Sequence, residues 1–120
     1  MRRLPDRLTD ILEAIAAIEE AASRGRSVFD TDRYVQTYIV HNLQVIGEAV
    51  RPFSDELRAL RPAVPWAKIV GLRHILVHHY FGVDREAVWA AVQEDLPALK
   101  AVVQSLLADL DALSSGEGHV

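Results

Sequence analysis

The sequence predicts an all-α fold, an antiparallel bundle of about five helices joined by short loops. Three observations predict it. Apolar residues step by three and four through most of the chain, which gives each helix one apolar stripe. Acidic and hydroxyl residues that cap helices, and prolines that start or stop them, fall between those stripes. No stretch alternates with the period of two that a half-buried strand requires, and no internal repeat is present.

The first helix carries Leu4, Leu8, Ile11, Ile15, Ile18 and Ala22 on one face. Pro5 suits its first turn, where a missing N–H costs nothing, and Ser23-Arg24-Gly25 ends it. Asp30-Thr31-Asp32 supplies the N-cap of a second helix, whose apolar positions include Tyr34, Val35, Tyr38, Ile39, Leu43, Val45, Ile46, Ala49 and Val50. Pro52 closes it. Ser54, Leu57 and Leu60 read as a short helical turn, and Arg61-Pro62-Ala63-Val64-Pro65 as a connector. A third helix runs from Trp66 through Ile69, Val70, Leu72 and Leu76 to about Tyr80, with Gly82 as its stop. Ile75-Leu76-Val77 is rich enough in β-branched residues to suggest a strand, but the helical spacing on both sides prevails. Asp84 caps a fourth helix through Val88, Trp89 and Val92. Pro97 breaks its phase or opens a fifth helix, with Leu99, Val102, Val103, Leu106, Leu107, Leu110 and Leu113. A single domain is expected over 1–113, with 114–120 as a flexible polar tail.

The 120 residues are 50% hydrophobic and 25% charged, ordinary globular usage that argues against disorder. With no cysteine, disulfides, thiol nucleophiles and Cys-ligated metal centres are excluded. No apolar run reaches the roughly 18–20 residues of a membrane span. The basic start Met1-Arg2-Arg3 meets Asp6 with no apolar run between, unlike a secretory signal, so a cytoplasmic location is expected. The net charge of −4 looks wrong for a nucleic-acid binder. Its distribution is less simple: residues 1–50 carry −2, residues 51–80 carry +3 and residues 81–120 carry −5. A basic patch on an acidic body is therefore allowed, although such arginines more often only solvate a helix face.

The stretch Arg73-His74-Ile75-Leu76-Val77-His78-His79-Tyr80 holds one Arg, three His and one Tyr. Each type serves phosphate chemistry. The guanidinium presents a fixed fork of donors to phosphate oxygens, imidazole gives or takes a proton near neutral pH, and a tyrosine hydroxyl can be modified. On an ideal helix Arg73 and His78 stand about 140° and about 7.5 Å apart, whereas Arg73 and Tyr80 share a face about 10.5 Å apart. One straight helix therefore cannot close Arg73 and His78 on one phosphate. Either the helix unwinds before Gly82 or a second copy supplies the missing group. His74 and His78 at i, i+4 could also start a metal site. A third ligand, His41 or Glu48, would have to come from elsewhere, and the Glu of an H-E-x-x-H motif is missing. His79 reads as a solvated helix-end residue, Gly47-Glu48 as a close helix contact beside a surface carboxylate, and Trp66 and Trp89 as core or interface anchors.

Taken together, these residues resemble a known family. The run PWAKIVGLRHILVHHYFGVD at 65–84 is similar to the HepT-like members of the HEPN superfamily, marked by Arg, four residues, His, any residue, Tyr. Arg73, His78 and Tyr80 fit that mark. Asn42-Leu43-Gln44-Val45-Ile46-Gly47-Glu48-Ala49 resembles the family's second-helix signature. Val88-Trp89 and Asp95-Leu96-Pro97 match its later helices, so the resemblance covers nearly the whole chain. One departure is His74, where the family often has Asn.

The resemblance implies a toxin of a toxin–antitoxin pair, a metal-independent ribonuclease that works as a homodimer without a cofactor. It implies catalytic Arg73 and His78, with His74 and Glu48 as auxiliary groups that orient the phosphate. The partner it implies is a minimal nucleotidyltransferase (MNT) antitoxin that silences the toxin by AMPylation of Tyr80. Two other readings stand beside it: a non-catalytic helical dimer that binds and is modified by a nucleotidyltransferase, and a nucleotide-binding helical module in which Arg73 clamps a phosphate.

Overall fold

The computed structural model describes residues 2–75 and 84–117, and of residues 74, 75 and 115–117 the backbone alone. The described residues are helical, with no strand among them. The elements are α1 (Leu4–Ala22), α2 (Arg26–Thr31), α3 (Arg33–Val50), α4 (Asp55–Leu60), α5 (Trp66–Ile75), α6 (Arg85–Ala90) and α7 (Leu96–Glu117). A π-turn over Ala91–Asp95 joins α6 to α7 without a break. Helix α1 packs on α3 and α7, and α3 packs on α5.

The caps predicted at Asp32 and Asp84 are present as hydrogen bonds, and Ser54, read only as part of a short helical turn, caps α4. Asp32 Oδ1 accepts from the N–H of Tyr34 at 2.9 Å and of Val35 at 3.2 Å. Ser54 Oγ accepts from Leu57 N–H at 3.1 Å, and Asp84 Oδ1 from Ala87 N–H at 3.1 Å. Each satisfies an amide that the first helical turn would otherwise leave unpaired. The C-terminus of α3 is closed from a distance: Arg58 Nη2 donates to the carbonyls of Val50 and Arg51.

Four features differ from the reading of the sequence. Residues 26–31 form the short helix α2, where only a connector and a cap were expected. Gly25 at φ 96° opens it in a conformation that L side chains rarely adopt. Phe29 then plugs it into the core, fully buried and 5.2 Å from the Trp89 ring. The fourth and fifth predicted helices are one rod. Pro97 has no N–H to give and its ring crowds the carbonyl four residues back. Widening the preceding turn, with Leu96 N–H bonded to Ala91 O five residues back, lets the rod continue. The last helix also runs on through Ser114 to Glu117, because extending a formed helix adds a bond for each residue fixed. Finally, Tyr34 and Tyr38, counted with the apolar face of α3, are 86% and 51% exposed. At about 100° per residue each stands one step round the helix from Val35 or Ile39, off the stripe that Val35, Ile39, Leu43 and Ile46 bury.

The core is one cluster, with Leu8, Ile11, Ile15 and Ile18 of α1 against Ile39, Leu43 and Ile46 of α3, closed by Ile69, Leu99 and Val103. Both tryptophans are anchors, as expected. Trp66 is buried and its Nε1 donates to the carbonyls of Arg58 and Arg61. Trp89 stacks on Phe29, with the Arg26 guanidinium 5.8 Å from its ring centre. Arg26 also binds Asp30 and Glu86, and those two hydrogen bonds, the Asp30 one first, raise its pKa. No helix among the described residues is long and apolar enough to cross a membrane.

Candidate functional site

Gly47 and Glu48 of α3 and Arg73 of α5 meet where the two helices come closest. A Cβ on Gly47 would sit 3.3 Å from Ile69 O, 3.4 Å from Arg73 N and 3.4 Å from Arg73 Cβ. Backbone faces backbone here, and glycine is what lets α5 lie this near. The next residue uses the proximity: Glu48 Oε1 accepts from Arg73 Nη1 at 2.6 Å, the short length of a charge-assisted bond. Both partners reach solvent, the guanidinium 28% exposed and the carboxylate 55%. The expected reading of Gly47-Glu48, a close helix contact beside a surface carboxylate, therefore describes the site incompletely, because the carboxylate is paired with the motif arginine.

Glu48 also lines an open cavity of about 430 Å³ between α1 and α3, with Arg7 and Asp10 on one wall and His41, Gln44 and Val45 on the other. Arg7 and Asp10 were not picked out in the sequence. Their only signal is a spacing of three on the edge of α1 that faces α3.

Of the sequence-predicted site residues, Arg73 and Glu48 are brought together. His74 follows Arg73 in α5, one step of about 100° around the helix. His78 and Tyr80 lie outside the described residues, and so does the partner that His74 would need for a metal. Among the described residues, no three His, Asp or Glu side chains come together as a metal site would require.

The basic excess of residues 51–80 is largely drawn into the scaffold. Arg58 holds the end of α3. Arg61 donates to Leu60 O and to Asp109. Lys68 Nζ sits 3.2 Å from Oδ2 of Asp95, a carboxylate only 8% exposed beside the π-turn. The local excess of positive charge thus overstates what is available to a polyanion. Arg73, like Arg61 with Asp109, has an accessible anionic partner, but among the described residues it donates to no backbone carbonyl, unlike Arg58 and Arg61.

Residues 11–106 match the family described as "Ribonuclease HepT-like". Several curated proteins are similar to this chain. One from Thermococcus cleftensis, named provisionally as a ribonuclease HepT, is 37% identical over 105 residues, 84% of this chain and 93% of that protein. One from Methanocaldococcus jannaschii, whose name marks it provisionally as an RNase, is 39% identical over 98 residues, 81% of this chain and 90% of that protein. A second from M. jannaschii, named as both a gamma-glutamylcyclotransferase and an RNase, is 33% identical over 114 residues, 94% of this chain and 51% of that protein. No solved structure matches the chain. The matched span contains Gly47, Glu48 and Arg73 together with the buried face of α3 and that of α1 from Ile11 onward, and the chain belongs to the ribonuclease HepT-like family.

Proposed function

We propose that this protein is a metal-independent ribonuclease, the toxin of a toxin–antitoxin pair, and that it acts as a homodimer on RNA. The observation that carries this reading is the Arg73–Glu48 pair. In a chain of this family, the motif arginine is fixed by a close helix contact at Gly47, yet it keeps part of its donor fork open to solvent.

The chemistry follows from RNA itself. The 2′-hydroxyl is a nucleophile already tethered beside its phosphorus, so the protein need not supply one. Arg73 stabilises the charge that gathers on the phosphorane-like transition state, and His78 moves a proton. Two copies of the chain bring their Arg73 and His78 sets to one groove, which overcomes the wide angle between these positions on a single helix. The antitoxin, a minimal nucleotidyltransferase, adds AMP to Tyr80. Each addition brings one phosphodiester charge to the motif, a charge that can pair with the Arg73 guanidinium and repel the RNA backbone. His74 assists in orienting the phosphate.

Purified protein should cut single-stranded RNA in EDTA and leave 2′,3′-cyclic phosphate ends. His78→Ala should lower the rate by about 10²–10⁴-fold. Co-expression with a nucleotidyltransferase encoded beside it should add adenylate mass on Tyr80 and abolish cleavage. A strict need for Mg²⁺, or undiminished cleavage by His78→Ala, overturns the reading.

A further inference from the structure

We infer that the cavity between α1 and α3 is a binding subsite for one nucleotide of single-stranded RNA, with Arg7 on its phosphate and Gln44 on the edge of its base. The inference rests on the ribonuclease reading for the identity of its ligand, and it uses only groups on α1 and α3.

The position follows from the helix. Gly47 faces α5. Counting about 100° per residue from it, His41, Val45 and Ala49 stand about 120–200° round α3, on the flank turned from α5, and all three line the cavity. Glu48, about 100° round, stands between. The cavity therefore begins where the Arg73–Glu48 pair ends. A strand with one phosphate on Arg73 has its neighbouring nucleotide here.

Charge decides what the cavity takes. Its walls carry two carboxylates, and an arginine from outside the lining already holds each of them. Asp10 accepts from Arg2 through both oxygens, at 2.6 Å and 3.2 Å, the two-bond geometry of a strong ion pair. Glu48 accepts from Arg73 at 2.6 Å. Arg7, in the wall itself, has no carboxylate within ion-pair distance among the described residues. Three guanidiniums thus meet two carboxylates, and the unspent one faces the cavity. An anion is favoured there over a cation.

The neutral groups are unspent in the same way. Helix α3 carries three side-chain amides. Gln36 donates to the carbonyls of Phe29 and Asp30, and Asn42 donates to Tyr38 O. Gln44 alone donates to none among the described residues, and it lines the cavity. A carboxamide offers donor and acceptor side by side, and it matches N6–H and N7 of adenine with two bonds. The exposed imidazole of His41 gives a base a flat face to stack on, and Val45 and Ala49 add apolar surface. The volume of about 430 Å³ is that of a small-ligand site.

The test uses the full-length protein and 2′-O-methyl RNA oligomers of A, U or C, which bind as single strands but lack the hydroxyl that cleavage needs. Fluorescence anisotropy should show A bound about fivefold or more tighter than U or C. Gln44→Ala should erase that preference and leave U and C binding within about twofold. Arg7→Gln should weaken all three oligomers alike and lower the slope of log Kd against log salt by about 0.7, one phosphate on a single strand, whereas Arg7→Lys should keep the slope. Melting temperatures within a few degrees of the wild type establish that the variants fold. Unchanged affinity, preference and salt slope in Gln44→Ala and Arg7→Gln overturn the inference. A wild-type dimer that dissociates in either variant, read by light scattering, also overturns it, because a second copy of the chain then fills the cavity. Cleavage of natural RNA by the same preparations separates the two readings. Cleavage without these binding effects removes the subsite alone, and the expected binding without any cleavage removes the ribonuclease reading alone.

Discussion

Among the described residues, helix α5 makes two ion pairs with its neighbours, and they are built in opposite ways. Toward its C-terminal end, Arg73 meets Glu48 of α3 with both side chains in reach of water, 28% and 55% exposed. Five residues earlier in the same helix, Lys68 meets Asp95, whose carboxylate is 8% exposed. In the second pair the acid is committed. It has left water, and Lys68 is what compensates its charge. In the first pair neither partner is committed, so an incoming phosphate can share the guanidinium at little desolvation cost. The difference separates a charge that ties the scaffold from a charge available to a ligand, and it rests on the burial of the acid: the parent helix is the same, and the shorter contact, 2.6 Å against 3.2 Å, belongs to the exposed pair.

The largest effect expected from breaking this contrast is on the reaction. Arg73→Ala should lower kcat/KM on RNA by about 10²–10³-fold, as for loss of one donor to a developing oxyanion. It should change unfolding stability by less than about 1 kcal/mol, because the pair is partly exposed. Cleavage assays and urea titrations of the same preparation check both halves. A large loss of stability would move Arg73 into the scaffold class.

At Lys68 the balance reverses. Lys68→Met strands a buried carboxylate and should cost about 2–3 kcal/mol in unfolding free energy. Asp95→Leu, which removes the buried charge and leaves the half-exposed Lys68 in water, should cost about 1 kcal/mol or less. Cleavage per folded molecule should stay near the wild type in both. Equal losses for the two variants would mean that the burial of Asp95 does not decide the energetics.

The same contrast shows what the sequence conveyed and what it did not. The apolar stripes of α1 and α3, the caps at Asp32 and Asp84, and the anchoring of both tryptophans were legible because they are local or periodic. Helix α2 was not. Arg-Ser-Val-Phe-Asp-Thr has weak helical propensity, and the segment is held by tertiary contacts of Phe29 and Arg26 with Trp89 and Glu86. Pro97 read as a break because local rules price a proline against an α-turn, and a π-turn relieves the clash. At the site, Arg73 stood out by residue type, and Glu48 entered through family resemblance. That the two touch is a fact about residues 25 apart on different helices, brought together by a glycine whose own signal is only a missing side chain. Counting charges located a basic segment but could not say that Arg58, Arg61 and Lys68 are spent on carbonyls and acids nearby.

A third ion pair sharpens the comparison from its weak end. Lys100 Nζ of α7 lies 3.0 Å from Glu19 Oε2 and 3.1 Å from Oε1 of α1, joining two packed helices much as Lys68 joins α5 to the π-turn. Its geometry is the better of the two, since both carboxylate oxygens are within bonding distance. Yet the side chains are 39% and 51% exposed, so water already solvates each charge and salt screens their attraction. Lys100→Ala should therefore change stability by less than about 0.5 kcal/mol, the difference from wild type should shrink further in high salt, and RNA cleavage should not change. If urea titration instead gave a loss comparable to that of Lys68→Met, bond geometry would outrank burial in this protein, and the reason for treating Arg73 as free to exchange its partner would have to be found elsewhere.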